Sequence, residues 1–147
     1  MKVKVKKLHE NAVIPYKTYS KDFCYDVVAT SCKEIAPNIY AYGIGLAFEI
    51  VRDEPYSNLF IDIDFRPRSS VWKTGMVLSN CEGTLDELYR GEVTAIFYHL
   101  FPDMPRYQVG DRIGQIKLGF TEPMEFVEVD ELSKSERGSN GYGSTGR

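Results

Sequence analysis

Leu59-Phe60-Ile61-Asp62-Ile63-Asp64-Phe65-Arg66 decides the fold, because apolar and polar side chains alternate through it with a period of two. Ile61, Ile63 and Phe65 fall on one side; Asp62, Asp64 and Arg66 fall on the other. That is a strand with one face in a core and one in water. On this reading Asp62 and Asp64 are the wet face rather than metal ligands. Working outward, Val3 and Val5 alternate with lysines, and Leu46, Phe48 and Ile50 alternate with Ala47 and Glu49. Lys2, Lys4, Lys6 and Lys7 guard an early strand against edge pairing. The stretches 92–100 and 113–120 are denser in apolar and aromatic residues and read as strands buried on both faces. Turn signals separate these runs: Pro37-Asn38, Asp53-Glu54-Pro55, Pro102-Asp103-Met104-Pro105 and Gly110-Asp111. Only 69–74 and 86–89 read as short helical turns. The expectation is an all-β domain, a jelly-roll-like distorted barrel.

Composition narrows the function classes. The chain has 147 residues, 43% of them apolar and 27% charged, which suits one domain with its own core. Its net charge of −3 argues against general nucleic-acid binding. The start, Met1-Lys2-Val3-Lys4, has no apolar run of a secretory signal, and the longest apolar stretches are about half a membrane span. Cys24, Cys32 and Cys81 are odd in number and widely spaced, which predicts a reducing, cytoplasmic setting and no zinc knuckle. His9 and His99 have no Ser or Cys partner in a hydrolase arrangement.

Residues 137–147, RGSNGYGSTGR, hold four of the 12 glycines. No strand or helix is expected there, so the chain divides into a β domain, 1–136, and a flexible glycine-rich segment, 137–147. Gly141-x-Gly143-x-x-Gly146 matches a dinucleotide fingerprint only by spelling, since no strand leads in and no helix follows. The segment nonetheless carries what a flap over phosphates needs: peptide N–H groups at glycines such as Gly141, hydroxyls at Ser139, Ser144 and Thr145, the guanidinium of Arg137, and the ring of Tyr142. Ordering each residue costs roughly 1–2 kcal/mol, and each charge-assisted hydrogen bond returns about 1.5–3 kcal/mol. Closure therefore needs a ligand with many acceptors, as a nucleoside triphosphate has.

Three further segments carry polar chemistry. Arg66-Pro67-Arg68-Ser69-Ser70 ends a strand and opens a short turn, which places hydroxyls and peptide N–H groups beside arginine as an anion site or, more plainly, a serine cap. Asn80-Cys81-Glu82-Gly83-Thr84-Leu85-Asp86-Glu87-Leu88-Tyr89-Arg90-Gly91 joins a glycine turn to an acidic pair, a tyrosine and an arginine. Gly110-Asp111-Arg112-Ile113-Gly114-Gln115 reads as a turn leading into a strand.

In this order, the segments resemble the five motifs of the trimeric deoxyuridine triphosphatases. Tyr25-Asp26-Val27-x-Ala29 is similar to the first, Pro67-Arg68-Ser69 to the second, and Gly83-x-Leu85-Asp86-x-x-Tyr89-Arg90-Gly91 to the third. Gly110-Asp111-Arg112-Ile113-x-Gln115 and the 137–146 segment complete the series. The resemblance implies a β-clip fold and hydrolysis of dUTP to dUMP and pyrophosphate. Asp86 is implied as the base for water attacking the α-phosphorus, with Mg²⁺ on the triphosphate and Asp26 holding that metal through water. Arg68, Ser69, Gln115, Arg137, Ser144 and Thr145 are implied phosphate contacts, and Ser70, which with Cys24 stands where the family commonly has glycine or a small residue, is a further substrate-binding candidate. Tyr89 is implied beneath the deoxyribose, Tyr142 on the uracil, and a homotrimer with sites shared between subunits is implied too.

The hairpin from Asn80 through Gly83 and Leu85 would read the base. Uracil offers acceptor, donor and acceptor along one edge, which peptide groups can match; cytosine's amino group would face a donor and leave buried polar groups unpaired. Against the family pattern, Tyr142 stands for the usual phenylalanine and Asn140 for a glycine, and Trp72 is bulky for its place. Two other readings share these residues. A dCTP deaminase of the same fold needs a glutamate ten residues after Asp86, where this chain has Ile96. A dUTP-gated regulatory protein would use the same flap to signal to a partner.

Overall fold

The computed structural model describes residues 1–52 and 58–140. Among them lie ten strands and one short 3-10 turn, Val71–Thr74. The strands are β1 (Lys2–Lys7), β2 (Tyr25–Val28), β3 (Lys33–Ala36), β4 (Ile39–Gly43), β5 (Leu46–Val51), β6 (Phe60–Arg66), β7 (Met76–Leu78), β8 (Gly83–Leu85), β9 (Thr94–His99) and β10 (Arg112–Thr121). Two antiparallel four-stranded sheets, ordered β2-β10-β6-β8 and β3-β4-β9-β7, enclose the core, and β1 pairs with β5 as a separate ribbon. This is the jelly-roll-like all-β architecture expected from the alternation.

The core lies between the inward faces. Tyr42, Phe97 and Tyr107 meet edge to face, with centroids 5.5–6.3 Å apart, and the Tyr42 hydroxyl donates to the Tyr107 carbonyl at 2.9 Å. That contact fastens the loop before β10 to the β3-β4-β9-β7 sheet. Gly114 admits the ring of Phe65, since a Cβ there would lie 2.2 Å from Phe65 Cζ. Strand β9 alternates instead of being buried on both faces: Ala95, Phe97 and His99 point inward, while Thr94 and Tyr98 are exposed. Its apolar density reflects a sheet with one outer face of tyrosine and threonine.

The polar face of β6 departs from expectation more sharply. Asp64 is 7% exposed, because Lys117 sits directly opposite it on β10 and bonds it at 2.8 Å while Arg66 lies 3.5 Å away. The long stems of Lys117 and Arg66 cover what a simple alternation assigns to water. Burial pushes the Asp64 carboxyl up, but the hydrogen bond and charge of Lys117, helped by Arg66, outweigh it and hold the group below the usual aspartate range. A lowered value contributes stability above the unfolded value and loses it as pH falls through the folded one. Lys117→Met should therefore cost about 3 kcal/mol at pH 7 and less at pH 3. Urea melts at both pH values measure this; an equal loss at both would mean the methylene packing, not the charge pair, carries the effect.

After β10 the chain runs through 122–136 without pairing to any described strand. Phe126 is 88% exposed and Leu132 87%.

Candidate active site

Strand β8 pairs with β6 along one edge only and is the outer strand of its sheet. Its outward peptide N–H and C=O groups are consequently free to bond a ligand. They border a hollow of about 210 Å³ whose walls include Asn80, Gly83, Leu85, Tyr89 and Thr94. Asn80 sits at its edge with its amide turned to β9: Oδ1 accepts the Ile96 N–H at 3.0 Å and Nδ2 donates to the Thr94 carbonyl at 3.4 Å. The side chain thus stands in for a strand residue and pins the loop before β8.

Asp86 follows β8 directly and lines this hollow and an adjoining one bordered by Phe60, Leu88 and Thr121. The two acidic neighbours have separate fates. Glu87 is tied to Arg52, whose Nε donates to it at 2.6 Å, and that hydrogen bond holds its carboxyl below the usual glutamate range. The Asp86 carboxylate makes no ion pair or side-chain hydrogen bond among the described residues, so it is available to a water molecule. Tyr89 is 48% exposed, so it is no core residue. Its hydroxyl donates to the Glu92 carbonyl at 2.9 Å, and its ring lies over Gly91, where a Cβ would come within 2.3 Å of the hydroxyl. The ring therefore forms a fixed wall because residue 91 has no side chain.

The second half of the constellation gathers around Asp26. Register places Gln115 of β10 opposite Asp26 of β2 on one side and Arg66 of β6 on the other, all facing the same way. Arg112 Nη1 lies 2.9 Å and Arg68 Nε 3.5 Å from the two Asp26 oxygens. Pairing within that row is a consequence of strand register, which spacing along the chain does not display. Ser69 and Ser70 follow Arg68 at the 3-10 turn; Ser70 makes no capping hydrogen bond, which removes the plain structural explanation for its hydroxyl.

The donor set does not fit a resident inner-sphere metal. Both Asp26 oxygens face guanidinium groups, and no three acidic, thiol or imidazole groups converge among the described residues. A magnesium ion arriving on a triphosphate has phosphate oxygens as its ligands and asks of Asp26 only a water-mediated contact.

Asp86, Tyr89, Gly83, Leu85 and Asn80 thus come together, as do Asp26, Arg68 and Gln115, with Ser69 and Ser70 following Arg68 in the chain. The two groups are separate: the hollow at Asp86 and the hollow at Arg68 share no residue. Arg137 is exposed, its Nε donating to the Asn140 carbonyl at 2.8 Å. Gly141, Tyr142, Ser144 and Thr145 lie outside the described residues. Sequence reasoning missed Arg112 as a partner of Asp26, although the acid and base lie 86 residues apart in motifs it had singled out. It also missed Phe65 as part of the hollow and Glu92 as the anchor of Tyr89.

Comparison with known proteins identifies the relatives of this chain. The family model described as dUTPase matches residues 10–146. The deoxyuridine 5'-triphosphate nucleotidohydrolase of Wolinella succinogenes is 35% identical over 151 aligned positions, covering 100% of this chain and 95% of that protein. The Helicobacter pylori protein of the same name is 34% identical, covering 99% and 97%. In fold, the chain is similar to Staphylococcus bacteriophage 80alpha dUTPase with dUPNHPP, at a TM-score of 0.81 and 23% identity over 99% of each chain.

Proposed function

This chain belongs to the dUTPase family, and on that premise we propose that Asp86 is the base of its reaction. The protein hydrolyses dUTP to dUMP and pyrophosphate. The observation that carries the assignment of Asp86 is a carboxylate unpaired among the described residues, beside an edge strand whose peptide groups can read uracil. A carboxylate there accepts a proton as water attacks the α-phosphorus, and pyrophosphate leaves from the opposite side. Little covalent work falls to the protein; positioning and charge neutralisation supply most of the rate.

Arg68, with Ser69, Ser70 and Gln115, takes phosphate oxygens, which is how a chain of net charge −3 accommodates a polyanion. Arg137, Ser144, Thr145 and the Gly141 peptide close over the triphosphate, and Tyr142 stacks on the base. Magnesium carried on dUTP neutralises charge on the phosphates, with Asp26 touching its hydration water. Because the Asp86 and Arg68 hollows are separate, a complete site draws on more than one copy of the chain, and the exposed Phe126 and Leu132 fit burial against a neighbour. This reading makes the protein a homotrimer with shared sites. Three free cysteines accord with work in a reducing cytoplasm, and no described helix is long and apolar enough to cross a membrane.

Pyrophosphate release measured side by side for dUTP, UTP, dCTP and dTTP tests the whole reading, with dUTP alone turned over rapidly. Ammonia released from dCTP would instead identify a deaminase, for which Ile96 supplies no carboxylate; its peptide N–H is bonded to Asn80. Tyr89→Ala should shrink the preference for dUTP over UTP by about tenfold or more, since the ring wall that meets the 2′ position is gone. An unchanged ratio of kcat/KM for the two substrates moves sugar recognition elsewhere.

A further inference from the structure

Glu92 borders the hollow at Asp86, and the reaction as derived makes no use of its carboxylate. Its Oε1 accepts the Gly45 N–H at 2.8 Å, in the connection between β4 and β5. Two glycines make that seat. A Cβ at Gly43 would lie 2.3 Å from Oε1 and 2.6 Å from Ser31 Oγ, so a larger residue there displaces the carboxylate. Gly45 donates from a left-handed backbone, φ +66°, which other residues rarely adopt.

The same residue holds the sugar wall at its other end. The Glu92 carbonyl accepts the Tyr89 hydroxyl at 2.9 Å, and the Val93 N–H of that peptide group donates to the Leu46 carbonyl at 3.0 Å. Little else fixes this stretch. Arg90, Gly91 and Glu92 donate no backbone hydrogen bond among the described residues, and Gly91 has no side chain to pack. The peptide that receives Tyr89 is therefore held on one side by Leu46 and on the other by the Glu92 carboxylate. Tyr89 is 48% exposed, so core packing does not immobilise its ring. Its N–H bonds the Asp86 carbonyl at 2.9 Å, which puts the ring and the base in one turn.

We propose that Glu92 is a positioning residue for sugar recognition: its carboxylate, anchored on the Gly45 N–H, aims the Glu92 carbonyl at Tyr89 and keeps the ring where a 2′-hydroxyl would fall. The inference rests on the reading of Tyr89 as the wall beneath the deoxyribose. Glu92 acts through Tyr89 and not on the substrate. A fixed wall excludes a ribose that a tilting one admits. The role calls for an acceptor at Oε1 rather than a charge, since the partner is a peptide N–H.

The test measures kcat/KM for dUTP and for UTP, with a thermal melt of each protein. The proteins are wild type, Glu92→Ala, Glu92→Gln, Gly43→Ala, Tyr89→Phe, and Tyr89→Phe combined with Glu92→Ala. The dUTP-to-UTP ratio should fall by about threefold to tenfold in Glu92→Ala, the size of one hydrogen bond. Gly43→Ala should reproduce that fall with Glu92 still present, and it carries the comparison alone if Glu92→Ala does not fold. Glu92→Gln keeps the oxygen acceptor and should stay within about twofold of wild type. The combined variant should be no worse than the poorer single one, because the carboxylate then has no hydroxyl to aim at. A ratio unchanged in both Glu92→Ala and Gly43→Ala, even with lower melting temperatures, makes the carboxylate a loop brace and overturns the proposal. So do losses that multiply in the combined variant, and so does a Gln variant as poor as the Ala one. A wild type that turns over dUTP and UTP equally removes the reading of Tyr89 instead, and that result is visible before any variant is compared.

Discussion

Asp86→Asn should bind a non-hydrolysable dUTP analogue at least as tightly as the wild type while turnover falls by about 10³-fold. The substitution keeps the size and the backbone of a residue that makes no side-chain bond among the described residues, so neither fold nor pocket loses a support there. What it removes is a proton acceptor, and general-base catalysis contributes typically 10²–10⁴ in rate. It also removes one negative charge close to where a polyanion sits, which favours ground-state binding. Calorimetric titration with the analogue and single-turnover hydrolysis separate the two effects. Turnover within tenfold of wild type would transfer the base role to another group. The neighbouring Glu87 is a poor substitute, since its carboxylate is already committed to Arg52.

The contrast between Asp86 and Glu87 marks the limit of what the sequence discloses. Both are acids in one turn, and the motif order alone singles out the first; the structure adds a physical reason, that one is paired and the other is not. The strands were legible because alternation is a local property, as the burial of Ile61, Ile63 and Phe65 bears out. Asp64 was misread for the complementary reason. Its environment is set by Lys117, which lies 53 residues away in sequence and beside it in the sheet. The Asp26–Arg112 pair is the same case, and so is the ring of Phe65 resting against Gly114. Periodicity reports which face of a strand is apolar; it does not report which strand lies next door. Groups that act through a cross-strand partner therefore appear only in three dimensions, whereas Asp86 and Tyr89, three residues apart in one turn, are neighbours in the chain as they are in the hollow.

Removing residues 137–147 should abolish dUTP hydrolysis and leave the β domain folded. The described part of that segment is exposed and contributes nothing to the core cluster, which ends with Ile116 and the partly buried Leu118 on β10. Among the described residues truncation takes away no buried apolar surface, and the melting temperature should move by no more than about 2 °C, the range of an ordinary surface change. Activity has no such protection. The deleted residues include the guanidinium of Arg137 and the hydroxyls of Ser139, Ser144 and Thr145, and two or three charge-assisted bonds at about 1.5–3 kcal/mol each amount to a loss of kcat/KM of roughly 10²-fold or more. Because ordering the glycines opposes closure in the free protein, the loss should fall on the triphosphate complex and spare dUMP, whose single phosphate gives the flap little to hold. Circular dichroism melts and pyrophosphate release on the same truncated protein read the two outcomes. A drop in melting temperature of 10 °C or more would recast the segment as a structural arm, while full activity would deny it any part in the site. Folded and inactive is the combination that a ligand-closed flap requires.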